Sequence, residues 1–392
     1  MFILLIFNII HVFLIFKTNL QKKNVYNNLN CYFYAKSKTV KRKYILPLFL
    51  IIQILFLKII AFFPEFVERY YSNGLYVFVS RILRISIGII PFSVGDFLYG
   101  ILIVCLFKSI WNTRKTWKLK WKNNILTILN VFSIAYFLFY FLWAMNYYRQ
   151  PLFEKMNIER DYTDADLLDF TKKLIAKTNE IQSQITKNNS LKVVFPYSNE
   201  QVFEMNLNGY KTLSNQYPFF NYANPSIKKS LFSLPLSYMG FGGYLNPFTN
   251  EAQVNYLMPM YNSPTTSCHE MAHQMGFASE SECNFIGFLA SVKNKDLYFQ
   301  FSGYSTALRY CLSNWYARDE IVYDQLLKTV HPGILKNYQE SEEFWKQYDT
   351  FIDKGFHAFY DNFLKMNQQK DGIEGYSKFL NLLVNYYKGK PL

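Results

Sequence analysis

Nothing in this chain limits its fold more than the three long apolar runs in its first 150 residues. Tyr44 to Phe63 carries a single charge, Lys58, over about 20 residues, which is the length that crosses a bilayer as a helix. Pro64-Glu-Phe-Val-Glu-Arg69 closes that run. Phe97 to Phe107 with its neighbours makes a second predicted span, and Ile125 to Met145 a third, with aromatic residues dense at its far end. Residues 75–90 are also apolar, but Arg81 and Arg84 lie three apart on one helix face. That pattern predicts a helix lying in the membrane interface.

Basic residues orient these spans. The segment Lys17 to Lys43 holds eight Lys or Arg, and Lys108 to Lys122 holds six. Pro64 to Val94 holds three: Arg69, Arg81 and Arg84. The positive-inside rule puts the two basic segments in the cytoplasm, so the chain beyond Asn146 is expected outside it. Were residues 75–90 to span, the parity would reverse. The net charge of +14 then needs no nucleic acid, since much of it sits beside the spans, where it meets anionic membrane lipid. No zinc-finger spacing, phosphate-binding glycine loop, basic-aromatic platform or internal repeat is evident.

Three segments follow. Residues 1–40 are an N-terminal extension in which 2–16 are apolar but short for a span; a signal-like stretch, a short first helix and a later translation start are all open readings. Residues 41–150 form the transmembrane region, and 151–392 an extracytoplasmic domain. The fold expected is mainly α, with N-terminal transmembrane helices followed by an α+β domain. In that domain Thr163 caps a helix with Asp164 and Asp166 in its first turn, running to about Gln184. Leu191 to Phe195 suggests a short strand, and Glu251 to Leu257 another.

The chemistry lies in Thr265-Thr-Ser-Cys-His-Glu-Met-Ala-His-Gln-Met-Gly-Phe-Ala-Ser-Glu-Ser-Glu-Cys-Asn284. His269, Glu270 and His273 stand in the order H-E-x-x-H. With five histidines in the chain, that order arises by chance in well under ~1% of such sequences. Ser263-Pro264 reads as a cap followed by a first-turn proline, so both histidines fall inside one helix, on one face. Two imidazoles so placed can bind one Zn²⁺, and Glu270 can take a proton from a water there. Gly276 can end the helix in a left-handed turn. Ser279 with Glu282 then reads as a capping box opening a second helix, which leaves Glu280 as the favoured third ligand over Glu282. Asn284, one turn on, could orient a ligand histidine from behind.

Cys268 and Cys283 flank the motif and read as small buried residues; the five scattered cysteines give no disulfide framework. His331 and His357 read as structural or surface histidines. Tyr376 and Tyr304 are candidate donors to a developing oxyanion only because they are tyrosines in loop-like sequence. The stretch 246–257 could hold an extended peptide by strand addition.

The zinc motif with its following glutamate resembles the gluzincin-like metallopeptidases. From about Lys43 onward the chain resembles an uncharacterised family of bacterial multi-pass membrane proteins, domain of unknown function 3810. The resemblance is carried by Tyr71-Ser-Asn-Gly-Leu-Tyr76, Pro91-Phe-Ser-Val-Gly-Asp-Phe-Leu-Tyr99, Asn146-Tyr-Tyr-Arg-Gln-Pro-Leu152, Asn246-Pro-Phe-Thr-Asn-Glu251 and His269 to Phe285. Cys283 departs from it, standing where alanine is expected. The resemblance implies zinc, a peptidase-like site in a zincin-like domain and a bacterial membrane, and no substrate. The leading expectation is a membrane-anchored zinc metallopeptidase acting on a peptide or protein. A membrane scaffold or sensor with structural zinc, and a zinc amidase acting on cell-wall amide bonds, are the alternatives.

Overall fold

The computed structural model describes residues 43–367 and 376–392, so the apolar stretch 2–16 and most of the basic segment before Lys43 lie outside the described residues. The described residues are mainly helical, with one three-stranded sheet among them.

The first helix, α1 (Ile45–Ile60), has 16 residues and a length of roughly 24 Å, less than the expected 44–63 span. It ends because Phe63, held out of the helical region before Pro64, adopts φ −126° and ψ 59°. Pro64–Gly88 then continues at 104° to it. Within that stretch α2 (Tyr76–Gly88) follows a π-helical segment, Val67–Leu75. Next come α3 (Val94–Thr113, 20 residues) and α4 (Trp121–Leu142, 22 residues). At 1.5 Å per residue these measure roughly 30 and 33 Å, matching a hydrocarbon core of about 30 Å. Both are long and apolar enough to cross a membrane, and the bent pair would make a third span if counted as one. Helix α1 packs along α4, where the Gln53 amide reaches Ser133.

Helix α2 parts its two arginines. Arg84 is buried against the main body, 5.4 Å over the Tyr222 ring, while Arg81 is exposed. Val77, Phe78, Ile82 and Ile85 form an exposed apolar face on its outer side. One face is docked, and the other is left for an apolar environment.

The C-terminal part begins with α5 (Asp164–Thr186), which opens on a complete capping box between Thr163 and Asp166, and α6 (Asn199–Gln216), capped likewise by Ser198 and Gln201. The expected strand at 191–195 does not form. Val193 instead exchanges hydrogen bonds with the Asn337 side chain, which supplies the donor and acceptor that a neighbouring strand would have given. The sheet consists of β1 (Ile227–Lys229), β2 (Gly243–Asn246) and β3 (Glu251–Val254), in the order β1-β3-β2. β1 runs parallel and β2 antiparallel to β3. Strand β3 is therefore central, buried at every position and paired on both sides. It stops at Val254 because Asn255 turns the chain, its N–H bonding Gly242 O and its side chain accepting from Leu257 N.

Helix α7 (Ser263–Gln274) packs on β2 and β3, and α8 (Glu280–Val292) packs against α7. Then come α9 (Leu297–Arg318), α10 (Glu320–Leu327), α11 (Pro332–Lys346), α12 (Phe351–Met366) and α13 (Tyr376–Tyr387). The core gathers Phe170 and Leu174 of α5, Met271 of α7, Phe285 and Phe288 of α8, and Phe379 of α13.

Candidate metal centre

A 3₁₀ turn, Met260–Asn262, leads straight into α7, so the cap position falls on Asn262 and not on the expected Ser263. Pro264 sits in the first turn, where its missing N–H leaves no bond unmade. His269 and His273 are one turn apart, and their Nε2 atoms lie 3.1 Å from each other. The helix stops at Gly276, whose φ of +86° only glycine adopts without strain. Its N–H bonds His273 O and the next N–H, of Phe277, bonds Ala272 O. The chain reverses within three residues into α8. Gly287 then lets the two helices touch by backbone: a Cβ there would lie 3.0 Å from Thr265 O and from His269 N. That approach carries the first turn of α8 to the histidines.

Glu280 completes the group. Its Oε2 is 3.1 Å from His269 Nε2, and its Oε1 is 3.6 Å from His273 Nε2. Among the described residues, His269, His273 and Glu280 form the cluster with metal-ligand spacing. The outward nitrogens explain why a cation fits. His269 Nδ1 faces Asn284 Oδ1 at 2.8 Å, and His273 Nδ1 faces Phe277 O at 2.8 Å. Both partners are acceptors, so each Nδ1 carries the proton and each Nε2 turns a lone pair inward. Two lone pairs and a carboxylate converging on one point repel unless a proton or a metal ion lies between them, and the site has the donor set for either. Two nitrogens on one tetrahedral Zn²⁺, at about 2.0–2.1 Å each, stand roughly 3.3 Å apart, close to the 3.1 Å found.

Glu270 lies at the wall of the same cavity, buried, with Oε2 lacking any hydrogen-bond partner. Burial raises its pKa to about 7, with Glu280 adding to the rise and both histidines opposing it. A carboxyl so placed can hold a proton or release it near neutrality.

Glu282 is elsewhere. Ser279 makes no side-chain cap, and the expected capping box is absent. Glu282 instead accepts the Leu152 N–H at 2.6 Å, capping a short helix 130 residues away in sequence, and burial raises its pKa to about 6. Cys283 is buried and lies 3.3 Å from His273 Nδ1, on the outward side of that ring, where its thiol donates to Phe277 O. It does not face the point where the ligands converge.

Of the two tyrosines singled out from sequence, Tyr304 lies mid-helix in α9, buried in the core against Phe288, and does not line the cavity. Tyr376 opens α13, and its side chain lies outside the described residues. The tyrosine at the centre is Tyr360 of α12, whose hydroxyl donates to Glu280 Oε1 at 2.7 Å. Burial, and then the charge of Glu280, push its pKa well above the ordinary value, so it remains a donor. Only the fold brings it there: it follows Glu280 by 80 residues, in a helix without a recognisable motif. His357, on the same helix, lines the cavity but pairs with Asp353 at 3.1 Å. His331 Nδ1 meets Gln182 Oε1 and caps α11.

The end of α7 is finished by the first part of the chain. Tyr76 Oη donates to Gln274 O at 2.9 Å, and Trp143 Nε1 to His273 O at 3.0 Å. Arg84 reaches Gln274 O at 3.4 Å, and Arg149 donates to Gly276 O at 2.7 Å. Arg149 is fixed in turn by Glu68, at 2.7 and 2.8 Å, which also binds Lys155 at 2.8 Å. These bonds cross the border at residue 150 that the sequence suggests.

The centre opens into a cavity of about 1390 Å³, lined by α3, α4, α9 and α12 as well as by β2. No curated protein and no solved structure matches the chain. One family model does, over residues 71–384, which leaves out residues 43–70 and 385–392 of the stretch covered by the sequence resemblance. Since that match takes in α2, both long apolar helices, the sheet and the whole His269–His273–Glu280 centre, the chain belongs to the family described as protein of unknown function (DUF3810).

Proposed function

We propose that this protein is a membrane-anchored zinc metallopeptidase with a zincin-like domain on the outer side of a bacterial cytoplasmic membrane. The observation that carries the reading is the buried Glu270 carboxylate, with one oxygen unpartnered, beside three ligand atoms that converge on a single point. His269, His273 and Glu280 would hold Zn²⁺, which supplies Lewis acidity: it brings the pKa of a water near ~7 and polarises a carbonyl. Asn284 and the Phe277 carbonyl keep both rings in the ligating tautomer. Glu270 accepts the proton of the attacking water and hands it to the leaving amine. Tyr360, whose hydroxyl donates to Glu280, takes the oxyanion role in place of Tyr304 and Tyr376.

Strand addition by the substrate moves from the central β3 to β2. The edge of β2 away from β3 pairs with no strand among the described residues, and Gly243, Tyr244 and Leu245 line the cavity. A structural zinc site needs a fourth protein ligand, and Cys283 does not supply one, since it lies behind the His273 ring. The outward orientation rests on the six basic residues between Lys108 and Lys122.

The test is Glu270→Gln in the full-length protein, assayed on outer-face proteins of cells and on a peptide library in lipid nanodiscs. Zinc content should stay at one per chain while cleavage falls by about 10²–10⁴-fold. Cleavage equal to wild type in every assay would remove hydrolysis from the reading and leave a structural metal.

A further inference from the structure

The cavity is lined in part by side chains of the two long apolar helices. Leu102 and Ile103 of α3 line it and are 49% and 48% exposed, and Phe139 of α4 lines it too. Ile103 is nine residues beyond Val94, a rise of roughly 13 Å along a helix of about 30 Å. If α3 crosses a hydrocarbon core of about 30 Å, it uses its whole length, and these two side chains sit within the core. A second part of the lining points the same way. Phe232 and Pro235 line the cavity, while Leu231 and Leu234 beside them are 59% and 52% exposed. That part is tied to the head of α3, because Asp96 accepts from Leu231 N at 2.7 Å and from Ser230 Oγ at 2.9 Å. Away from the spans, α9 gives the wall a polar character through Arg309, Ser313 and Asn314.

We propose that the cavity opens sideways onto the bilayer and takes the juxtamembrane stretch of a protein itself held by a transmembrane helix. The bond presented to the His269–His273–Glu280 centre is then a few residues from that helix. The inference rests on the hydrolase reading above and adds its substrate class. An apolar wall continuous with two spans accepts the residues leaving the anchor, and the polar α9 wall accepts the solvated residues beyond the bond. A soluble peptide matches only the second wall.

The experiment uses full-length, zinc-loaded protein in lipid nanodiscs and three probes that compete with a fluorescent soluble peptide hydroxamate. One probe is the unlabelled soluble hydroxamate. The others carry the same hydroxamate on a single transmembrane helix through a spacer of about four or about twelve residues, roughly 13 or 40 Å when extended. Tethering alone favours both anchored probes, so their ratio reports the geometry. The short spacer should compete at least about fivefold better than the long one, because effective concentration peaks where linker length matches the span and falls roughly as the −3/2 power of length beyond it. Leu102→Trp, or Ile103→Phe as a second variant, should weaken the short-spacer probe and leave the soluble one unchanged; that unchanged binding also reports an intact fold. A long spacer equal to or better than the short one, or insensitivity of the short-spacer probe to both variants, overturns the lateral opening while the metal centre stands. Failure of the soluble hydroxamate to bind removes the metal reading and this inference with it.

Discussion

Substitution of the two glutamates at the start of α8 separates metal ligation from structural support, and the geometry grades the outcome. Glu280 presents both oxygens to the histidine Nε2 atoms, at 3.1 and 3.6 Å. Glu280→Gln removes the one anionic donor of the set. Asn284→Ala removes only the 2.8 Å partner of His269 Nδ1, a kind of loss that costs about 10–100-fold in metal affinity. That is roughly 1.4–2.8 kcal/mol. Losing a ligand should exceed losing its partner, so Glu280→Gln should weaken zinc by more than ~100-fold. Tyr360→Phe deletes one bond to Glu280 and should fall near the lower bound, about tenfold. Glu282→Gln should leave zinc affinity within ~0.5 kcal/mol of wild type, since its carboxylate serves Leu152 N and none of the ligands. Zinc competition against a chromophoric chelator, on detergent-solubilised full-length protein, measures all four, with thermal unfolding of each variant as the check on folding. Zinc lost in Glu282→Gln and kept in Glu280→Gln would refute the ligand assignment. Zinc affinity unchanged in Asn284→Ala would refute the argument that ring orientation holds the lone pairs inward.

Other perturbations test the scaffold. Glu68→Gln leaves Arg149 and Lys155 buried without their counter-ion, and should cost about 3–5 kcal/mol of stability by denaturant unfolding. Burial opposes the charge of Glu68, but the hydrogen bonds and charges of Arg149 and Lys155 outweigh it and lower its pKa from 4.5 to about 2. This stabilisation is therefore complete above pH 4.5 and is lost as pH falls towards 2, a loss that Glu68→Gln should abolish. Gly276→Ala forces a side chain into φ +86° with its Cβ 2.9 Å from Tyr76 Cε1 and Asn146 Oδ1. It should destabilise by about 2–4 kcal/mol, and a thermal shift of nothing would show that the turn is not held as described. Residues 151–392 expressed alone lack the four side-chain donors that reach the end of α7, and should bind zinc at least about tenfold more weakly than the full chain; equal affinity would show those donors to be dispensable.

How much of this was legible in the sequence depended on how local each feature is. The pairing of His269 with His273, the left-handed Gly276 and the reach of Asn284 follow from helix period and turn chemistry within 16 residues, and the structure places them together. The Thr163 capping box was local too. Ser279–Glu282 shows the limit of such patterns. The four-residue spacing is present, yet the Leu152 N–H, 130 residues away in sequence, takes the carboxylate. The 191–195 strand failed for a similar reason, since Asn337 offered its amide where a strand edge was needed. The alternation in 251–257 carries no mark of the flanking β1 and β2, which make β3 central and buried throughout. Tyr360 and Trp143 carry no local mark of their roles.

The bonds that close α7 also give the N-terminal helices a part beyond anchoring. A helix leaves its last carbonyls without intrahelical donors, and in a buried setting water does not supply them. Here the donors come from Tyr76, Arg84, Trp143 and Arg149, all within the segment that flanks or precedes the two long apolar helices. Two of the four are cations, the sign that a helix C-terminus favours. His273 takes its ring orientation from Phe277 O, directly after the Gly276 carbonyl that Arg149 holds. A shift of the N-terminal helices therefore moves the acceptor that sets the His273 tautomer. The same docking that brings Leu102 and Ile103 into the cavity wall thus fixes one of the candidate ligands. Under the proposed reading, metal affinity and access from the bilayer would both depend on this one packing arrangement, to which the N-terminal helices and the 151–392 segment each contribute.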